Sequence, residues 1–117
     1  MSDKVTIYHN PRCSKSRAAM ELLSDKGIET EVVKYLETPP DRTTLIDLLD
    51  MLGLEPRDLM RKGEAEYKDN NLADESLSDD DLVDALIKHP RLLERPIVVK
   101  DGQAAIGRPI ENIIEIL

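Results

Sequence analysis

Apolar and polar positions alternate from Lys4 to Tyr8, with Val5 and Ile7 apolar, and Asn10-Pro11 follow as turn formers, which predicts a short first strand. From Ser14 to about Lys26 the period changes. Ala18, Ala19, Leu22 and Leu23, with Met20 beside them, recur at helical spacing, and Gly27 supplies a stop. Glu31 to Leu36 carries Val32, Val33 and Tyr35 in a run too short and too β-branched for a helix, so it is expected to be a second strand. The chain therefore opens as β-α-β.

Thr38-Pro39-Pro40-Asp41 breaks that strand and begins a helix, whose Leu45, Leu48, Leu49 and Leu52 form a core-facing stripe ending at Gly53. Between Glu55 and Asn71 the periodicity weakens: Leu59 and Met60 fit a short helical piece, and the residues after Gly63 read as a polar stretch. Ser78 then offers a hydroxyl cap, with Asp79, Asp80 and Asp81 in the first turn of a helix carrying Leu82, Leu86 and Ile87 and ending at His89-Pro90. Pro96 to Lys100 reads as a buried strand, Asp101-Gly102 as a tight hairpin turn and Ala104 to Ile106 as its antiparallel partner. Pro109 suits the first turn of a last helix through Ile113, Ile114 and Leu117. This order predicts an α/β sandwich with a mixed sheet of about four strands. No repeat or linker divides it, so a single domain over residues 1–117 is expected.

Composition narrows this picture. The chain has no Phe or Trp, and Tyr8, Tyr35 and Tyr67 are its only aromatic residues, so 16 Leu, 10 Ile and 6 Val must fill the core. With 24 acidic against 16 basic residues the net charge is -8, which argues against general attraction to nucleic acid or an anionic membrane. The basic positions also lack aromatic neighbours on which bases could stack. The opening Met-Ser-Asp-Lys-Val-Thr-Ile lacks the pattern of a secretory signal, and no run approaches the roughly 18 apolar residues of a membrane span. A cytoplasmic location is expected, where the single cysteine stays reduced.

That cysteine carries the chemical signal. His9-Asn10-Pro11-Arg12-Cys13-Ser14-Lys15-Ser16-Arg17 places Cys13 between the first strand and first helix, where unpaired N–H groups and the positive end of the helix dipole favour a thiolate. From Lys4 to Met20 there is no acid, while Arg12, Lys15 and Arg17 crowd the thiol as field-setting charges. A lone cysteine is commonly an inert small hydrophobe, but the polar and basic flanks favour a reactive one. His9 is either a partner of the thiol or a structural residue at a strand end, and Ser16 either donates to the sulfur or caps the helix. No second cysteine follows, which excludes an internal dithiol cycle, and one Cys with two distant His residues makes no metal ligand set. Arg95 before Pro96 and Arg108 before Pro109 occupy turns, where guanidiniums can converge on an oxyanion, although each has an acidic sequence neighbour, Glu94 or Glu111, as an alternative partner. Nothing in the composition singles out Arg61.

The segment Tyr8 to Arg17, with Tyr35-Leu36-Glu37-Thr38-Pro39-Pro40, Leu59-Met60-Arg61-Lys62, Arg95-Pro96-Ile97-Val98-Val99 and Gly107-Arg108-Pro109, resembles the glutaredoxin-dependent arsenate reductase family over nearly the whole chain. The resemblance implies a thioredoxin-like fold with a helical insertion before the final hairpin and helix, and a cis Arg95-Pro96 bond. It implies Cys13 as the nucleophile attacking arsenate, His9 lowering the thiol pKa, the loop serine Ser16, and Arg61, Arg95 and Arg108 binding the oxyanion. Glutathione is then a co-substrate and glutaredoxin the partner that resolves the mixed disulfide, with no bound cofactor or metal, and a monomer is expected. Arg12 and Ser14-Lys15 depart from the family's smaller, uncharged residues. Alternatives are a glutathione-linked thiol oxidoreductase with another substrate, or a non-catalytic thioredoxin-fold regulator of the kind that binds RNA polymerase, where Ser16 stands in place of a second sulfur.

Overall fold

Val5, Thr6, Ile7 and Tyr8 form strand β1 (Val5–Tyr8) in a computed structural model of the protein, which describes residues 5–117. Lys4, the expected start of this strand, lies outside the described residues. β1 is not an edge. It pairs in parallel with β2 (Thr30–Val33) and antiparallel with β3 (Ile97–Lys100), which in turn pairs antiparallel with β4 (Gln103–Ile106), giving the order β2-β1-β3-β4. Val5 and Ile7 share one face of this central strand and are wholly buried against Ala19, Leu23 and Ile113. The β3–β4 turn uses Asp101 and Gly102, both at positive φ (49° and 77°), the backbone form that a two-residue hairpin requires.

The chain divides into two compact units, residues 5–38 with 95–117, and residues 39–94. The first holds the sheet, helix α1 (Ser14–Asp25) and the last helix. Its core joins Val5, Ile7, Ala19, Leu23, Val98, Ala105 and Ile113, so both helices bury one face against the sheet. Each fully buried Val, Leu or Ile contributes about 1.5–3 kcal/mol relative to exposure. The expected strand from Glu31 to Leu36 is shorter: it ends at Val33, because the Lys34 carbonyl accepts the N–H groups of Glu37 and Thr38 (both 2.9 Å) and turns the chain.

The second unit is helical. α2 (Arg42–Leu52) starts at Asp41, whose side chain accepts the Thr44 N–H (2.9 Å), and closes at Gly53 with φ 67°. Leu45, Leu48 and Leu49 of its stripe are buried and Leu52 is half-buried. Pro56–Leu59 forms a single 3-10 turn, and the stretch expected to be merely polar contains a short helix, α3 (Ala65–Asp69). None of the α3 residues is buried, which is why no apolar period announced it. α4 (Asp79–Lys88) begins at the expected Ser78, in a capping box with Asp81, and ends at His89. Arg42 pairs with Asp84 and Asp80, tying α2 to α4.

The last helix, α5 (Glu111–Ile116), starts later than expected. Pro109 lies before its cap rather than in its first turn, and the Arg108-Pro109 bond is cis, as is Arg95-Pro96. No described helix is long and apolar enough to cross a membrane.

Candidate active site

The loop that leaves β1 is held by its own backbone. The His9 N–H donates to the Val33 carbonyl (2.8 Å), continuing the β1–β2 pairing by one residue. Asn10 then closes a turn: its carbonyl accepts the Cys13 N–H (3.0 Å), its side-chain Oδ1 accepts the Arg12 N–H (3.0 Å), and its own N–H donates to Ser16 Oγ (3.0 Å). Cys13 emerges in extended conformation (φ -95°, ψ 123°) as the residue that caps α1. The sequence pattern works here as chemistry: Asn-Pro turns the chain, and the helix begins directly under the sulfur.

Four groups act to charge that sulfur. Burial is the largest single influence on Cys13 and pushes its thiol up; Cys13 is only 8% exposed. The Ser16 N–H, the Arg95 guanidinium, the Lys15 N–H and the Arg108 guanidinium, in that order, more than offset it and hold the thiol below the ordinary cysteine range. Neither N–H makes a close side-chain cap with the sulfur, so their effect is that of dipoles at a helix start. Arg108 makes direct contact: its Nη2 donates to Cys13 Sγ at 3.5 Å while its Nε donates to the Arg95 carbonyl at 2.8 Å.

Arg95 and Arg108 converge because β3 and β4 are paired, with Ile97 opposite Ile106, so the residues before one strand lie beside those after the other. The Gly107 N–H donates to the Pro96 carbonyl (2.9 Å). Gly107 enters the sequence reading only as part of the Gly107-Arg108-Pro109 block, with no role of its own. A Cβ there would sit 2.6 Å from Ile113 Cδ1 and 2.8 Å from Pro96 Cγ, so any larger residue forces the Pro96 ring or Ile113 to move. Its signal in the sequence was its place directly before Arg108-Pro109.

His9 and Ser16 form a buried pair, with 2.6 Å between Nδ1 and Oγ. Burial, then the charges of Lys34 and Arg17, lower the His9 pKa, so the ring is neutral at neutral pH and brings no positive charge to the thiolate. Ser16 is wholly buried and serves two ends: its hydroxyl joins His9 to Asn10, and its N–H acts on the sulfur. The expected role of the neighbouring cations is also revised. The charges that lower the thiol belong to Arg95 and Arg108; Arg17 instead donates to the Pro11 carbonyl (3.0 Å), and Arg12 and Lys15 extend into solvent.

Arg61 belongs to the helical unit. It follows the Met60–Leu93 bridge, its N–H donates to the Leu92 carbonyl (2.7 Å), and its guanidinium pairs with Glu64. Among the described residues no group of three or more His, Cys, Asp or Glu is arranged to hold a metal ion. A buried, anion-stabilised thiol at a helix start with two convergent guanidiniums can attack an electrophile while binding a tetrahedral oxyanion.

Comparison with known proteins agrees with this chemistry. The model of the ArsC family matches residues 8–116, running through both units. A protein of Neisseria meningitidis serogroup A named arsenate reductase is 52% identical over 115 residues, covering 97% of this chain and 98% of its own. YfgD of Escherichia coli K12, described as uncharacterized, is 56% identical over 118 residues, covering 100% of this chain and 99% of its own. Among solved structures, an arsenate reductase from Vibrio cholerae matches with a TM-score of 0.96 and 52% identity, with both chains covered completely. The mixed four-stranded sheet with its helical insertion is thus the thioredoxin-like arrangement that the resemblance implied.

Proposed function

The chain belongs to the ArsC family, and on that premise we propose that it reduces arsenate to arsenite, using Cys13 as nucleophile and glutathione with glutaredoxin as the source of electrons. The observation that carries this reading is the Cys13 sulfur, kept below the ordinary thiol range beneath Arg95 and Arg108 in a protein of net charge -8.

The Cys13 thiolate attacks arsenic and displaces one oxygen, which leaves as water after protonation, and a sulfur–arsenic bond replaces an oxygen–arsenic bond. Arg108 donates to the thiolate and, with Arg95, to the oxygens of the incoming anion, whose charge would otherwise repel the sulfur. Glutathione then attacks the Cys13 sulfur. The new sulfur–sulfur bond forms as the sulfur–arsenic bond breaks, its electron pair stays on arsenic, and arsenite departs with the metalloid reduced by two electrons. A glutaredoxin thiolate takes the glutathionyl group from the mixed disulfide and regenerates Cys13. The His9–Ser16 pair positions: it fixes the helix start whose N–H groups face the sulfur. Arg61 is carried into the proposal by the family resemblance as a third oxyanion-binding guanidinium. The protein acts without a bound cofactor, as a monomer in the cytoplasm.

Purified protein supplied with arsenate, glutathione and glutaredoxin is expected to release arsenite. Cys13→Ser is expected to reduce this to background without loss of fold, and Arg61→Ala to weaken arsenate binding without altering the thiol pKa. If arsenite does not form while a glutathionylated substrate is reduced, the activity is a different glutathione-linked exchange.

A further inference from the structure

Two cations beside the nucleophile take no part in the chemistry described above. Arg12 immediately precedes Cys13 and Lys15 lies in the first turn of α1, and both side chains are exposed. The cations that hold the Cys13 thiol down are Arg95 and Arg108. Among the described residues no ion pair engages either side chain, although acids outnumber bases 24 to 16 across the sequence and Arg42, Arg61 and Arg91 all have carboxylate partners. The nearest acid upstream of Cys13 is Asp3 and the first downstream is Glu21. Solvated positive charge thus flanks a buried thiol in the chain, one residue before it and two residues after it.

A cation so placed acts on what arrives from solvent. We infer that Arg12 and Lys15 select the resolving thiol, by attracting a small thiol that carries carboxylates in preference to a neutral or cationic one. The inference rests on Cys13 being resolved by an external thiol, as proposed above, and assigns to these two side chains the recognition of that co-substrate. Glutathione, with two carboxylates and one ammonium, is a thiol of this class. The carboxylates approach the cations while its thiolate attacks along the disulfide or sulfur–arsenic axis, so attraction is realised in the encounter and in the transition state alike. Two unit charges several ångströms from an anion in water are worth about a fivefold change in rate, which falls as salt screens them.

Arsenate is not needed to test this. Cys13 is the only cysteine, so a mixed disulfide with thionitrobenzoate forms at a single known position. An added thiolate attacks this disulfide, one sulfur–sulfur bond replaces another, and thionitrobenzoate is released directly or by a second thiol. Its release is followed with glutathione, glutathione diethyl ester and 2-mercaptoethanol, each rate expressed per thiolate present. The wild-type protein is expected to favour glutathione over its ester about fivefold at low salt, with the preference shrinking as salt rises. Arg12→Ala combined with Lys15→Ala should abolish the preference and leave the 2-mercaptoethanol rate nearly unchanged, while Arg12→Lys retains most of it. A double variant that keeps the full salt-sensitive preference, or a wild-type protein that shows none, overturns the inference. Failure of arsenate turnover with the preference intact would remove the arsenate reading alone.

Discussion

Two regions of this molecule carry positive charge near Cys13, and they do different work. In the loop, Arg12, Lys15 and Arg17 are neighbours of the thiol in sequence, yet none of their side chains accounts for its lowered pKa. At the sheet end, Arg95 and Arg108 are remote in sequence, and they are the guanidiniums that the sulfur feels. What separates the two sets is anchoring. Arg95 is 8% exposed, and Arg108, although exposed, is tethered through Nε to the Arg95 carbonyl and donates through Nη2 to the sulfur, so both charges are held in place near it. Arg12 and Lys15 extend into solvent and Arg17 donates to the Pro11 carbonyl rather than to the sulfur; a solvated charge acts more on ligands that come to it than on a buried thiol.

Breaking the sheet-end set should have the largest effect. Arg108→Ala is expected to raise the Cys13 pKa and lower kcat/KM for arsenate roughly a hundredfold, the scale of losing a preorganised donor to developing charge. Arg95→Ala should do the same and also cost stability, because it empties a buried position; steady-state kinetics with a urea melt of each variant separates the two. Gly107→Ala comes next. The new methyl group meets the Pro96 ring and Ile113, and overpacking of this kind costs about 1–3 kcal/mol; a reduced urea midpoint accompanied by a raised thiol pKa would tie the glycine to the placement of Arg108.

Ser16→Ala tests the loop's framework rather than its charge. It leaves the Asn10 N–H and His9 Nδ1 without their partner, at about 1–3 kcal/mol for buried polar groups left unsatisfied, while the Ser16 N–H stays in place beneath the sulfur. The urea midpoint should therefore fall more clearly than the thiol pKa moves. His9 also makes stability depend on pH. Its folded pKa is lowered, so its contribution is fully present above the ordinary histidine range and is lost as pH falls through that range towards the folded value, because the unfolded chain takes up a proton that folded His9 resists. The smallest expected effect sharpens the comparison most: Arg12→Ala and Lys15→Ala should leave the Cys13 pKa nearly where it is.

Much of the fold could be read from local pattern, and the failures are where local pattern does not act. Asp41, Gly53, Ser78 and the Asp101-Gly102 turn each mark their boundary through a hydrogen bond or a φ value that neighbouring residues dictate. β2 stops short of Tyr35 and Leu36, which look β-forming, because the Lys34 carbonyl turns the chain regardless. α3 leaves no apolar period in the sequence because it buries none of its residues. The reactive thiol was legible because a helix start is a local property. Its guanidinium partners were visible only as arginines in turns, since the pairing of β3 with β4 brings Arg95 to Arg108, and the contact of Arg108 with Cys13 spans 95 positions. Arg61 entered through family resemblance alone.

The most direct test of the anchored-charge picture is the thiolate absorbance of the single cysteine followed against pH, in the wild-type protein and in Arg108→Ala. Because the folded pKa is lowered, the thiolate and the stability it confers should persist below the free-cysteine value and disappear as pH falls through the folded one, with Arg108→Ala shifting the curve upward. Titration of the wild-type thiol at or above the free-cysteine value, or an Arg108→Ala curve that overlays it, would contradict the claim that Arg108 and its neighbours hold the Cys13 sulfur as an anion.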